Sequence, residues 1–99
     1  MIQRIVIFKL KNEYCNDAAR AEFAERTRKD LSALSQVRGV NVGVPADEHS
    51  LASWDIAITL EFDSIEDVKA YIVDPDHRAY VDDYASPKIE VRKAWNFEI

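Results

Sequence analysis

The sequence has few of the residues that build disulfides and nucleotide-binding loops: one cysteine, two glycines and three prolines among 99 residues. A single cysteine cannot form an internal disulfide. Cys15 also lies in a polar segment with no histidine close by in sequence, so we expect no catalytic role for it. No glycine-rich phosphate loop, flavin signature or metal-ligand spacing such as H-E-x-x-H is present. The sequence therefore predicts no cofactor and no bound metal.

Basic residues are also in the minority, because 13 Lys and Arg stand against 18 Asp and Glu and give a net charge of −5. This charge would on average repel a nucleic acid backbone or an anionic membrane surface, so neither is expected as a partner. No apolar run approaches the roughly 20 residues of a membrane helix, and the first segment lacks the small-residue cleavage site of a signal peptide. We therefore expect a cytoplasmic protein.

Hydrophobic residues make up 47% of the chain and are spread along its whole length. That distribution argues against disorder. At this length it predicts a single domain, residues 1–99, with one core.

The hydrophobic pattern changes its period along the chain and predicts a succession of strands and helices. Strands are expected at 2–10, 37–44, 54–62 and 88–99, helices at 17–35, 64–73 and 75–86, and a polar loop at 45–53. Asn16 and Ser64 are the predicted N-caps of the first two helices. The order strand, helix, strand, strand, broken helix, strand predicts an α+β, ferredoxin-like protomer, a four-stranded antiparallel sheet with helices on one face.

The first strand is apolar on both of its sides. Ile5 and Ile7 lie on one side, and Val6, Phe8 and Leu10 lie on the other. Since the helices of such a fold cover only one face of the sheet, something else must cover the second face. A second copy of the sheet would do so and remove apolar area from water. A homodimer is therefore predicted.

Several segments resemble one family. IVIFKLK near the start, RGV, DIAITLEFDSIEDVKAY, YIVDPDH and the closing WNFE are together similar to the stress-responsive A/B-barrel (Dabb) family of the dimeric α+β barrel superfamily. The resemblance covers nearly the whole chain. It implies a ferredoxin-like protomer and a dimer whose two sheets form a barrel. It implies no single activity, because the family includes stress-related, ligand-binding and enzymatic proteins.

Within that family, the resemblance points to olivetolic acid cyclase as the nearest relative of known activity. That cofactor-free enzyme uses a tyrosine and a histidine in a segment of the form Y-I-x-x-P-x-H, and Tyr71 and His77 occupy those places here. The resemblance thus implies His77 as a general base and Tyr71 as the group that holds a substrate oxygen. Asp74 and Arg4 stand where many relatives have histidine, so we expect a more charged pocket.

The same segment can be read from local chemistry alone. Asp74 can cap a helix that begins with Pro75 at its first position, and His77 is then an ordinary first-turn residue. In one continuous helix, Tyr71 and His77 would point about 240° apart, because a helix advances about 100° per residue. Only a break at Pro75 would let the two side chains converge. Both interpretations, a structural and a catalytic His77, remain open.

Other candidates are less specific. Arg4 shares a strand face with Val6 and Phe8, so its guanidinium needs a carboxylate partner or an anionic ligand, and we expect a salt bridge inside the protomer. Tyr80 and Tyr84 follow His77 at helical spacing and are candidates either for ligand binding or for the core. The remaining candidates are expected to be structural or solvent-exposed: Trp54 and Trp95 in the core or dimer interface, His49 in the loop, and the acidic residues Asp74, Asp76, Asp82 and Asp83 on a solvated face.

Three hypotheses follow. The chain is a homodimeric protein that binds a small organic molecule, with unknown specific activity. Alternatively, it is a cofactor-free cyclase, lyase or isomerase that acts on a polyketide-like or aromatic carbonyl compound. The third possibility is a dimerisation module without a ligand. A cavity of a few hundred Å³ shared by Tyr71 and His77 would favour the first two.

Overall fold

The structure, a computed structural model, describes all 99 residues and contains one antiparallel sheet. The four strands are β1 (Ile2–Leu10), β2 (Gly39–Gly43), β3 (Ile56–Phe62) and β4 (Ile89–Glu98). Their order in the sheet is β2-β3-β1-β4, so β4 is an edge strand. The α-helices are α1 (Asp17–Ser32), α2 (Glu48–Leu51), α3 (Ile65–Val73) and α4 (Pro75–Ala79). This arrangement confirms the predicted ferredoxin-like fold class.

The helices begin where the sequence predicts caps. The side chain of Asn16 accepts a hydrogen bond from the backbone N–H of Ala19, and Ser64 accepts one from Asp67. Each bond satisfies a first-turn N–H group that has no partner within its own helix. Local hydrogen bonding therefore sets the starts of α1 and α3.

The core lies between one face of the sheet and the helices. Val6, Phe8 and Leu10 of β1 and the alternate residues Ile56–Phe62 of β3 are buried there. They pack in one cluster with residues of the helical segments, namely Phe23, Ala24, Leu31, Leu34, Val68, Tyr71, Tyr80, Val81 and Ala85. The apolar residues that recur every second position in the strands thus pack against those that recur every third or fourth position in α1, and together they form one apolar layer.

The opposite face of the sheet carries large apolar side chains that remain in contact with solvent. Trp95 is 45% exposed and Phe97 is 50% exposed. Their register partners on β1 are Ile5 and Gln3. Simple alternation along β4 would place Ile89 on this face with Val91 and Trp95, but a register irregularity near Leu10 separates it, and Ile89 packs against the core. We call this surface, defined by Ile5, Ile7, Val91, Trp95 and Phe97, the outer face.

Two boundaries differ from the sequence-based prediction. The first helix ends at Ser32 instead of residue 35, because the chain continues in tighter turns that still bury Leu34. The predicted loop 45–53 contains a short helix, α2, which Asp47 caps by accepting from the N–H of Ser50. Aspartate is a favoured N-cap residue, but in a segment rich in polar residues it does not by itself distinguish a helix start from a loop.

The second helical piece is also less regular than expected. After α4, the chain forms a π-helical turn at Tyr80–Ala85 and a 3₁₀ turn at Ser86–Lys88. Pro87 lies in that last turn, directly before β4. None of the helices is both long and apolar enough to cross a membrane.

Candidate functional site

A cavity of about 330 Å³ opens between the helical segment that follows Tyr71 and the sheet strands β1 and β4. Its apolar wall includes Val6, Phe8, Ile58 and Val81. Its polar residues are Arg4, Tyr71, His77, Arg78, Tyr80, Ser86, Glu90 and Arg92. The cavity thus combines apolar lining residues with several polar ones, a composition typical of small-molecule sites.

The break between α3 and α4 brings Tyr71 and His77 together. Asp74 leaves the helical conformation at φ −59° and ψ 130°, and Pro75 begins the next helix. The Asp74 carboxylate accepts hydrogen bonds from the backbone N–H groups of Asp76, at 2.9 Å, and His77, at 3.4 Å. The rings of Tyr71 and His77 then lie 4.0 Å apart between centroids. The capped restart therefore aligns two side chains that a continuous helix would separate.

His77 is held as a neutral imidazole. It is only 8% exposed, and burial lowers the pKa of its ring, with the positive charges of Arg78 and Arg4 acting in the same direction. A weak hydrogen bond of Nδ1 with the Ile72 carbonyl, at 3.4 Å, and the Asp74 carboxylate oppose this lowering. Since a carbonyl only accepts, Nδ1 carries the proton and Nε2 keeps a free lone pair. The ring is therefore set up to accept a proton or a hydrogen bond through Nε2.

Tyr71 is held in its protonated form. Burial raises the pKa of its hydroxyl to about 12, and the nearby charges of Arg4 and Arg92 only partly offset this rise. The ring packs edge-on against Phe62 at 5.0 Å, which fixes its position from the sheet side. A phenol that stays protonated at neutral pH is a hydrogen-bond donor for a ligand oxygen.

Arg4 does not form the salt bridge that we expected inside the protomer. Its Nη1 donates to the side-chain oxygen of Asn96 at 3.0 Å, and its buried Nε has no hydrogen-bond partner. The expectation fails because Asn96, a neutral residue, stands opposite Arg4 on β4. Burial lowers the pKa of Arg4, and the charge of Arg92 lowers it further against the opposing influence of Tyr71.

Tyr80 and Tyr84 are separated by the structure. Tyr80 lines the cavity, and its hydroxyl is hydrogen-bonded to Thr27 at 2.6 Å in the core. Tyr84 is not among the lining residues. Its ring packs against Phe23 at 5.5 Å, with the Lys88 ammonium 4.0 Å above it. Of these two tyrosines, only Tyr80 therefore contributes to the cavity wall.

Sequence reasoning did not identify Arg92 and Glu90 as candidates, although both line the cavity. The signal was present in β4, where polar residues alternate with the apolar residues of the outer face. Because helices leave the edge strand β4 partly uncovered, its polar side faces the cavity mouth.

The acidic residues near the cavity do not gather around a common point. Asp82 pairs with Arg78 at 2.6 Å, and Asp74 accepts from Gln36 Nε2 at 3.0 Å. No three His, Cys, Asp or Glu side chains lie close enough to hold a metal ion. His49 is exposed on α2 and belongs to no such group.

The fold and cavity define an α+β protein with a small pocket between sheet and helices. More specifically, the chain belongs to the family of the Stress responsive A/B Barrel Domain, which it matches over residues 2–99. No curated protein sequence matches the chain.

Solved structures share the fold at low sequence identity. A Dabb family protein with a ferredoxin-like fold from Mesorhizobium loti is 22% identical, with a TM-score of 0.83, over 99% of this chain and 95% of that one. A dimeric protein of unknown function from Bacteroides fragilis is 24% identical, with a TM-score of 0.78, over 99% and 95%. A hydroxynitrile lyase from Passiflora edulis is 14% identical, with a TM-score of 0.78, over 99% and 92%.

Proposed function

We propose that this protein is a homodimer that binds a small organic molecule in the cavity beside Tyr71 and His77. The observation that carries the proposal is the cavity itself, about 330 Å³ in volume, into which polar groups without full hydrogen bonding converge. Buried polar groups are normally paired within a protein, so unpaired groups around a cavity suit a ligand that supplies the missing partners.

The three central side chains offer complementary chemistry. His77 offers a lone pair at Nε2, Tyr71 offers a hydroxyl proton, and Arg4 offers a guanidinium with one unpartnered N–H. The neighbouring apolar wall suits the carbon skeleton of a ligand. A molecule with one polar end and an apolar body fits this division of the surface.

The homodimer is supported by the outer face. Trp95 and Phe97 expose about half of their surface, and contiguous apolar patches of this kind mark interaction sites. The Bacteroides fragilis protein of similar fold is dimeric. Packing two outer faces together would close the two sheets into a barrel and leave each cavity on the helical side of its own sheet.

The second candidate function is cofactor-free catalysis on a carbonyl compound, as a cyclase, lyase or isomerase. It is favoured by the contact between His77 and Tyr71 and by the neutral imidazole. His77 Nε2 would remove a proton from the carbon next to a carbonyl, and the Tyr71 hydroxyl would hydrogen-bond the oxygen of the resulting enolate. Two likenesses support an enzymatic function: a hydroxynitrile lyase from Passiflora edulis has a similar fold, and the segment Y-I-x-x-P-x-H resembles that of olivetolic acid cyclase.

A thermal-shift screen of small organic molecules tests the binding function. A ligand of this cavity should raise the unfolding temperature of the wild type and of His49→Ala, in which an exposed histidine outside the cavity is changed. The stabilisation should shrink in Tyr71→Phe and His77→Ala, because each loses one polar contact. A set of ligands that stabilises all four proteins equally would place their site elsewhere and overturn the proposal.

Deuterium exchange separates binding from catalysis. A bound carbonyl compound incubated in D₂O should gain deuterium at the carbon next to the carbonyl if His77 acts as a base, and NMR follows that signal. His77→Gln should slow the exchange by about 100-fold or more. Binding without any exchange above the solvent rate would reject the enzyme and retain the binding protein.

A further inference from the structure

The arginines of this chain divide into two sets. Of the seven arginines in the sequence, five form ion pairs with a carboxylate in the same protomer. The two without an ion pair are Arg4 and Arg92, and both line the cavity. Among the arginines, the absence of a carboxylate partner is therefore confined to the cavity.

Arg4 and Arg92 act on the same region although they lie on different strands. Arg4 faces Asn96 in the β1–β4 register, and Arg92 faces Phe8, so both belong to the cavity side of the sheet. Their charges also meet at Tyr71, because each lowers the pKa of its hydroxyl against the effect of burial. Both arginines also line the same cavity, so an anionic group bound there would lie beside two positive side chains.

The cavity carries no equivalent negative charge. Glu90 is the one carboxylate residue of the lining, and it pairs with neither arginine. Arg78 adds a third positive side chain, which Asp82 neutralises. The chain as a whole has a net charge of −5, so this positive pocket runs against the average of the molecule. Like charges held near each other in a partly buried site are stabilised by a counter-ion.

We propose that the cavity is specific for an organic oxyanion, a carboxylate or phosphate on an apolar body, with Arg4 and Arg92 as the residues that bind its charged end. This inference rests on the proposed binding function and names the class of ligand. Guanidinium groups bind both kinds of oxyanion through pairs of parallel N–H donors, and Arg4 and Arg92 line the cavity with no carboxylate of the protomer paired to them. The protonated Tyr71 hydroxyl supplies a further donor beside them.

The apolar lining and the volume of the cavity indicate the size and polarity of the rest of the ligand. Phe8, Ile58, Val81 and Ile89 provide an apolar surface beside the two arginines. A volume of about 330 Å³ accommodates a molecule of roughly the size of an aromatic acid or a medium-chain fatty acid. Inorganic phosphate would pair with the arginines but would leave the apolar surface in contact with water. We therefore expect it to bind more weakly than an organic acid.

The test compares each acid with its neutral isostere. Benzoate and benzamide, trans-cinnamate and trans-cinnamamide, and octanoate and octanamide form the carboxylate arm. Phenyl phosphate and inorganic phosphate form the phosphate arm. Each compound is titrated into the ¹⁵N-labelled full chain, and NMR shifts of backbone amides and of arginine Nε–H groups give the Kd and the place of binding.

The expected result is a preference of about tenfold or more for an acid over its amide in the wild type, with shifts at Arg4 and Tyr71. Arg4→Gln and Arg92→Gln should each remove most of this preference. Arg38→Gln is the matched control, because it also removes one positive charge, from an exposed arginine that pairs with Asp63 outside the cavity. It should keep the preference. Whether carboxylate or phosphate binds better identifies the source of the oxyanion.

Four outcomes would overturn the inference. Amides that bind in the cavity as tightly as the acids would retain the binding function and reject the anionic class. Equal losses in Arg38→Gln and Arg4→Gln would show that only overall charge matters. Weaker dimers in Arg4→Gln and Arg92→Gln, without acid binding, would assign the arginines to a carboxylate of the second copy. If neither acids nor amides shift any cavity residue, the proposed binding function fails as well.

Discussion

Arg20, which is buried, and Arg4, which is half-buried, have opposite surroundings. The Nε of Arg20 donates to Asp55 at 2.8 Å, and both residues are buried, with 8% and 1% exposure. The same carboxylate accepts from the backbone N–H of Leu10 at 2.8 Å. The Nε of Arg4 is buried and has no partner at all. The Arg20 guanidinium is thus neutralised by a carboxylate of the protomer, and the Arg4 guanidinium is not.

The Asp55 region is a closed polar network. Asp55 joins β1 to α1, and the Cys15 thiol lies 3.7 Å from the same carboxylate. Burial and the negative charge of Asp55 raise the pKa of Cys15, so the thiol stays protonated and poorly reactive. Every strong hydrogen-bonding group there is used for structure, whereas the Arg4 region keeps donors unused beside a cavity. This difference separates a structural ion pair from a candidate binding site.

The largest effect should come from breaking the closed network. Asp55→Ala leaves the Arg20 charge buried without its partner and should lower the free energy of unfolding by about 3–5 kcal/mol, measured by urea denaturation. Asp17→Ala is the control, because Asp17 contacts the same guanidinium at 3.3 Å but is fully exposed. It should leave the unfolding midpoint unchanged. A loss equal in the two variants would show that burial does not distinguish the pairs.

The next-largest effect is expected on the dissociation constant of the predicted dimer. The same measurement tests whether a second copy supplies the partner that Arg4 lacks. Trp95→Glu places a charge on the outer face and should raise the dimer dissociation constant by about 30-fold or more in sedimentation experiments. Val73→Glu, at an apolar side chain that is exposed at the end of α3, should leave it unchanged. Arg4→Gln should also leave it unchanged. A clean wild-type monomer at micromolar concentration would contradict the predicted dimer.

A smaller effect, of opposite sign, is expected from removing the unpaired guanidinium. Arg4→Met keeps the apolar stem and removes the buried Nε without a partner, so the free energy of unfolding should stay constant or rise by about 1 kcal/mol. Arg20→Met should instead destabilise strongly, because it leaves Asp55 buried alone. Both values come from urea denaturation. Equal destabilisation by the two substitutions would remove the distinction between the regions.

The smallest effect is the pH dependence from His77. Burial lowers the pKa of this histidine in the folded state, so below its ordinary value of 6.5 the unfolded chain binds a proton that the folded chain does not. Stability should therefore fall as the pH decreases through this window. The free energy of unfolding of His77→Gln should decline less steeply between about pH 7 and pH 5.5. His49→Gln should follow the wild type, and a wild-type curve that coincides with His77→Gln would contradict the lowered pKa.

Much of the fold was predictable because its signals are local. The alternation in β3 places Ile56, Ile58, Leu60 and Phe62 on the core side, and the caps at Asn16 and Ser64 start helices where expected. The same alternation extended back to Asp55 would place this residue on the side opposite the core, but Asp55 is buried. Strand β3 begins only at Ile56, so the alternation does not extend to Asp55, whose carboxylate meets Arg20 across 35 residues of sequence.

The candidate site was predictable only in part. The start of a new helix at Pro75 could be predicted from the sequence, because capping depends on neighbouring residues. The sequence also showed that Tyr71 and His77 could converge only if the helix breaks there. Their 4.0 Å ring contact follows from the relative position of α3 and α4. Arg4 lacks a carboxylate partner because the neutral Asn96, 92 residues later in the sequence, lies opposite it on β4.

The sequence by itself determined the order of strands and helices, the break before His77 and the apolar outer face, because each depends on residue types a few positions apart. Only the tertiary structure decided which buried charges are paired. It matched Arg20 with Asp55 and left Arg4 and Arg92 beside a cavity, each without a carboxylate partner in the protomer. The physical reason is that an ion pair depends on distances of a few Å between strands and helices, and sequence spacing does not specify them.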